Sequence, residues 1–151
     1  MTQTSQPTAL ITGASKGLGR ALADALDGLG WQLIVDARNP GNLAAELPRA
    51  VVVQGDVTDP RHREALAAAV DTFGRLDVLV NNASDLGPSP LPNLAGFPLD
   101  ELRRVYETDV IAPIALTQLL LPHLRAANGV IVNVSSDAAV EAYEGWGGYG
   151  S

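Results

Sequence analysis

Short β-branched runs separated by longer helix-patterned stretches most constrain what this chain can fold into. Residues 8–12, 31–35, 50–54, 76–81 and 129–134 each read as a strand, apolar on both faces. Between them lie helical patterns at 18–29, 42–47 and 60–73, the last with Thr58 or Asp59 in place to cap it. A longer helical pattern over 100–126 is expected to bend near Pro113. Strands that are apolar on both faces need helices on both sides, and strand–helix alternation supplies them through parallel pairing. Right-handed crossovers then make the sheet doubly wound, so an α/β architecture is expected.

Composition excludes several classes. A length of 151 residues with 46% hydrophobic and 18% charged residues suits one folded domain. The net charge of −7, with the ten basic residues scattered, argues against a nucleic-acid partner. The absence of cysteine excludes disulfides, thiolate metal sites and thiol catalysis, and no metal site is expected. The start, Met1 to Pro7, has neither a basic patch nor an apolar core. The longest apolar stretch, residues 110–122, is interrupted by Pro113, Thr117 and Gln118 and is too short to span a bilayer. A soluble, cytoplasmic protein with no membrane partner is therefore expected.

Gly13, Gly17 and Gly19 punctuate the segment that joins the first strand to the first helix, with the spacing Gly-x-x-x-Gly-x-Gly. Glycines there allow a tight turn and close approach of backbone to a pyrophosphate, while the helix start offers amide donors. A purely structural turn has the same form, and the strand-before, helix-after context is what favours phosphate binding. No Gly-Lys-Ser/Thr closes the turn, so a triphosphate loop is not expected. Residues 83–97, rich in proline and glycine, follow the fourth strand on the edge where such sheets bind ligands.

The fifth strand runs into Ser135 and Ser136, and Tyr149 lies thirteen residues after Ser136. A hydroxyl at a strand end and a phenol on the next segment can converge on one carbonyl oxygen. A phenol titrates near 10 when unperturbed, so proton exchange near neutrality needs a neighbouring cation. An ammonium one helical turn on would fall at position 153, after Ser151, and Lys16 is the only lysine in the chain.

The glycine spacing, Asp56-Val57, Asn81-Asn82-Ala83 and the Ser136/Tyr149 interval together resemble the short-chain dehydrogenases/reductases, over residues 8–151. The resemblance implies a Rossmann fold in three αβα layers. It implies that Gly13, Ser15, Lys16, Gly17, Leu18 and Gly19 cradle a dinucleotide, with Asp56 on the adenine and Val57 beside its ring. Asn82 and Ala83 would border the cofactor, followed by Ser84 where the family usually has glycine. Asp56 also reads as a helix-capping residue, and Lys16 and Arg38 as solvated surface charge. Ala37 takes the position of the acid that NAD users carry, and Arg38 follows it, so NADP(H) is preferred. A slip of one residue would bring Asp36 to the ribose, so NAD(H) stays possible.

For chemistry, the resemblance implies that Ser136 holds a substrate carbonyl and that Tyr149 exchanges its proton. Asp109 stands where the family has a relay asparagine, and it also reads as an ordinary polar residue at a helix bend. The partner implied is a small carbonyl or alcohol substrate. A homo-oligomer is implied for the intact protein, built partly on the helix over 100–126. Family members continue past the equivalent of Ser151, so the last strands and helices are expected to be missing. The strand at 130–134 is then expected to have one edge unpaired or paired between molecules. The alternative to an alcohol–carbonyl oxidoreductase is a dinucleotide-binding module without turnover.

Overall fold

The computed structural model describes residues 6–151. Its strands are β1 (Thr8–Ile11), β2 (Gln32–Ala37), β3 (Val51–Gln54), β4 (Val78–Asn81) and β5 (Val130–Asn133). They lie in the order β3-β2-β1-β4-β5 with every pair parallel. The main helices are α1 (Gly17–Gly28), α2 (Leu43–Glu46), α3 (Pro60–Phe73), α4 (Leu99–Tyr106) and α5 (Ala112–Ala127).

Two-residue periodicity along the strands builds two cores. Leu10 and Ile34 point to one face and pack with Leu66 and Val70 of α3 and Leu116 and Leu120 of α5. Their neighbours Ile11, Leu33 and Val35 point to the other, where Ala23 of α1 and Leu43 of α2 meet them. This is the expected three-layer α/β arrangement. The strand order reverses between β1 and β4, the point at which open parallel sheets leave a crevice at their carboxyl ends.

Local chemistry sets the helix ends. Asp59 caps α3 by accepting from the Arg61 amide at 2.9 Å, with Pro60 at the first helical position. Gly74 ends that helix at φ 71°. The bend expected near Pro113 takes the form of a widened π turn over Glu107–Ile111, closed by the Ala112 amide on the Glu107 carbonyl.

The chain therefore stays helical across Leu99–Ala127, 29 residues that are long and apolar enough, by length and composition alone, to cross a membrane. The apolar stretch 110–122 is part of this longer helix, which runs through Pro113 as expected from the helical pattern over 100–126. Leu116, Leu120 and Leu124 are buried in the sheet-facing core, the environment of a core helix, while Val110, Ile111, Ile114 and Leu119 are exposed.

β5 pairs with β4 from Val78↔Val130 to Asn81↔Asn133. Its other edge meets no strand among the described residues, as expected, and Val130, Val132 and Val134 are exposed. Beyond it come a short 3-10 turn at Asp137–Ala139 and a four-residue helix, α6 (Gly147–Gly150), which carries Tyr149.

Candidate functional site

The site is built on the gap between β1 and β4. The Thr12 hydroxyl donates to the Val80 carbonyl at 3.3 Å and accepts from the amides of Asn82 and Ala83, both at 3.0 Å. The Asn82 side-chain amide answers by donating to the carbonyls of Thr12 (2.9 Å) and Gly13 (3.1 Å). Two loops are thus locked together where the strands diverge. Gly13 is at φ 68°, and a Cβ there would stand 2.9 Å from the Ala83 Cα, so the turn requires glycine for conformation and for closeness. Asn81 ties β4 to β5 by donating to the Asn133 side chain at 2.8 Å.

A cleft of about 480 Å³ opens beside the glycine turn. Gly13, Ser15, Lys16 and Gly17 line it from one side, Asp56 and Val57 from another, Asn82 and Ala83 from a third. Arg38 is exposed at its rim. The expected cofactor residues therefore converge, with two exceptions. Leu18 is 54% exposed and outside the lining, and Gly19 is buried beneath the turn against Asn82 and the Gly13 carbonyl.

The cleft fits a dinucleotide on its own features. No side chain caps the start of α1, where Lys16 takes the cap position, so the first-turn amides are open to an anion. The Asp56 carboxylate is not the cap of α3. Burial alone would raise its pKa, but the Thr58 amide and hydroxyl, each 2.9 Å from Oδ1, outweigh burial, and Arg38 and His62 add to the lowering. Asp56 therefore stays charged and fixed at the mouth.

Asp36 also lines this cleft, but its carboxylate is engaged by two other partners. Its side chain is 2% exposed, with Oδ1 accepting the Gly13 amide at 2.6 Å and Oδ2 beside His62 Nε2 at 2.9 Å. Sequence reasoning weighed Asp36 only as a ribose ligand and passed over His62. The available signal was the stripe His62, Leu66, Ala69 and Val70, which puts an imidazole on the buried face of α3.

A second cleft, of about 660 Å³, is lined by Ser136, Tyr149 and Asp109 together. It shares Ala83 and Ser84 with the first, so the two form one groove along the carboxyl ends of the strands. The Ser136 hydroxyl donates to Asp137 at 3.1 Å and accepts from the Ala138 amide at 3.2 Å. The single hydrogen of the Tyr143 phenol is shared between Asp137 and Glu141, whose carboxylate oxygens both lie 3.0 Å away. Hydrogen bonds from Tyr143 first, then from Ser136, hold the Asp137 carboxyl below its ordinary value, and the same carboxylates raise the Tyr143 phenol. Tyr143, Trp146 and Tyr149 stack edge to face in series, with ring centroids 6.2 and 5.9 Å apart. Asp137 is the residue here that sequence reasoning missed.

Asp109 sits in the π turn, where one oxygen accepts the Asp85 amide at 2.9 Å and the other is buried without a partner. Burial, aided by the Asp85 charge, pushes its carboxyl up against the lowering from the Asp85 amide and the Ser84 hydroxyl. Ser84 and Asp109, the two departures from the family pattern, thus touch each other.

A crossover sheet with a glycine turn at its switch point defines a nucleotide-binding α/β protein. The model of the short chain dehydrogenase family matches residues 7–151, and the chain belongs to that family. It is 40% identical over 149 residues to serine 3-dehydrogenase of Agrobacterium fabrum, covering 95% of this chain and 59% of that protein. Among solved structures, a short-chain dehydrogenase from Streptomyces avermitilis superposes with a TM-score of 0.87 at 37% identity, covering 97% of this chain and 55% of that one. A 7α-hydroxysteroid dehydrogenase complexed with NADH and 7-oxo glycochenodeoxycholic acid gives 0.84 at 31%, covering 95% and 58%. The chain thus spans less than two thirds of the length of these relatives.

Proposed function

We propose that the chain carries the dinucleotide-binding and Ser/Tyr portion of an NADP(H)-dependent oxidoreductase that interconverts an alcohol and a ketone or aldehyde. The single observation that carries this is the shared wall at Ala83 and Ser84, which runs the nucleotide cleft into the cleft lined by Ser136 and Tyr149. When bound, the dinucleotide supplies or accepts the hydride. Ser136 then donates a hydrogen bond to the substrate carbonyl oxygen, and Tyr149 gives that oxygen its proton in reduction or takes it back in oxidation. The Ala138 amide holds the Ser136 oxygen in place, and the hydroxyl hydrogen turns from Asp137 to the substrate as it binds. Asp109 borders the same cleft as the candidate relay group.

The coenzyme preference follows from what surrounds the first cleft. Engagement of both Asp36 oxygens leaves Arg38 and Lys16 as the charged groups at the ribose side. A 2′-phosphate gains charge-assisted bonds from such cations. The exposed apolar face of Val110, Ile111 and Ile114 supports a homo-oligomer built on the long helix.

A second reading, a nucleotide-binding module without turnover, is favoured by the Ser136 hydroxyl hydrogen being already engaged by Asp137. Titrating the chain with each coenzyme, followed by nucleotide fluorescence, tests the first reading. NADPH is expected to bind more tightly than NADH, and Arg38→Ala to cut that preference about tenfold. Equal affinities, unchanged by Arg38→Ala, would overturn the preference. Carbonyl-dependent oxidation of NADPH that Tyr149→Phe abolishes without changing coenzyme affinity supports catalysis. Tight binding with no turnover supports the module.

A further inference from the structure

Beneath the glycine turn lies a buried pair of side chains that takes no part in the proposed chemistry. Asp36 is on β2 and His62 in the first turn of α3, with side chains 2% and 5% exposed. Such groups are seldom buried without a partner, because desolvation penalises the charge. Here Oδ2 of Asp36 meets Nε2 of His62 at 2.9 Å. Since a carboxylate only accepts, Nε2 carries the hydrogen.

The other end of Asp36 reaches the turn itself. Oδ1 accepts the Gly13 amide at 2.6 Å, and the Asp36 carbonyl accepts the Ala14 amide at 2.9 Å. One residue therefore holds two successive amides of the turn, and one imidazole holds that residue's carboxylate. The imidazole has no room to swing away. A Cβ at Gly55 would collide with its ring, so the glycine before Asp56 exists in contact with His62. Arg63, the next residue on α3, donates to the Val57 carbonyl at 2.7 Å and anchors the following stretch of the same loop.

Three segments that line the nucleotide cleft, the turn at Gly13, the end of β2 at Asp36 and the loop at Gly55, thus meet on this pair. We infer that Asp36 and His62 are positioning residues for the dinucleotide, fixing the direction of the glycine turn before the ligand arrives. Preorganisation of this kind improves affinity by removing an ordering cost from binding. Without the imidazole, the Asp36 carboxylate faces a buried space with one oxygen unpaired, and it must rotate toward water and release Gly13. The inference rests on the dinucleotide reading proposed above.

The test uses the 151-residue chain, with NADPH as the probe and amide hydrogen exchange as a ligand-free readout. In His62→Leu the Kd for NADPH is expected to rise about tenfold, the effect of one lost charge-assisted hydrogen bond. Exchange at the Gly13 amide should accelerate by a similar factor relative to the core amides of Leu10 and Ile34. His62→Gln, whose amide reaches the same oxygen, should restore both. Should His62→Leu fail to fold, His62→Asn, whose shorter amide does not reach Oδ2, takes its place.

A merely structural role would speed all amides together and would not be rescued by glutamine. That result, or an unchanged Gly13 amide and Kd, overturns the inference. If the unsubstituted chain binds neither NADPH nor NADH, the dinucleotide reading falls first. An altered Gly13 exchange in His62→Leu would then mark a brace with no positioning role.

Discussion

Three glycines on α1 receive the same substitution with three different expected outcomes. At Gly19 an added Cβ would collide with the Asn82 side-chain amide and stand 2.6 Å from the Gly13 carbonyl oxygen. The oxygen is backbone and cannot yield cheaply, so the Asn82 amide must move and surrender its bonds to the Thr12 and Gly13 carbonyls. Two such bonds are together worth about 1–3 kcal/mol, and the shift forced on the turn adds about 1 kcal/mol. Better helix propensity for alanine returns at most about 1 kcal/mol. Gly19→Ala is therefore expected to destabilise by about 1–3 kcal/mol.

Gly17 has nothing within 4 Å of its Cβ position but sits at φ 59°, so Gly17→Ala should cost about 1 kcal/mol from backbone conformation alone. Gly28 has neither obstruction nor positive φ, and Gly28→Ala should be neutral or slightly stabilising. Urea unfolding of the three variants, with slopes compared to confirm a common transition, measures the ranking. If Gly19→Ala proves as stable as Gly28→Ala, the close packing of turn, helix and Asn82 is not what requires glycine, and the reasoning fails.

Two further expectations concern charge and edges. Because burial raises the Asp109 carboxyl above its unfolded value, the fold is penalised once that group ionises. Stability on this account is complete below the unfolded value and is lost as pH rises through the raised one. Asp109→Asn should therefore gain on the parent across that window, as followed by denaturation at stepped pH, and a pH-independent difference would refute it. On the open edge of β5, Val132→Lys should lower concentration-dependent association seen by light scattering, since a charged edge resists strand pairing. Unchanged association would show that the edge is not where copies meet.

The alternation of apolar runs made the layers and the parallel pairing legible, because each β-branched run had to be covered on both faces; the strand order came only from the structure. Gly13 and Gly17 were legible from spacing, since a turn between strand and helix leaves few other residues able to adopt their φ. What escaped were contacts between residues far apart in sequence. The Asp36–His62 pair spans 26 positions and leaves no local pattern beyond a histidine in an apolar stripe. The Ser84–Asp109 contact joins two departures from the family pattern that looked unrelated along the chain. Asp137 carried no signal along the chain, because its contacts with the Ser136 hydroxyl and the Tyr143 phenol arise only in the folded loop. The helix through Pro113 was legible, but the π turn just before it was not, because a wider turn has no residue signature of its own.

That wider turn has a consequence for the phase of the long helix. An α-helix advances about 100° per residue, so one additional residue in a turn rotates everything after it by about that angle relative to what precedes it. The π turn lets Thr108 line the nucleotide cleft and Asp109 the second cleft, while Leu116, Leu120 and Leu124 still fall on the core. Removing one residue from Glu107–Ile111 would keep a longer regular helix yet set its two halves at odds. Either the leucines would leave the core or the two polar groups would turn away from the groove. The irregular turn is the gear that keeps packing and site in register.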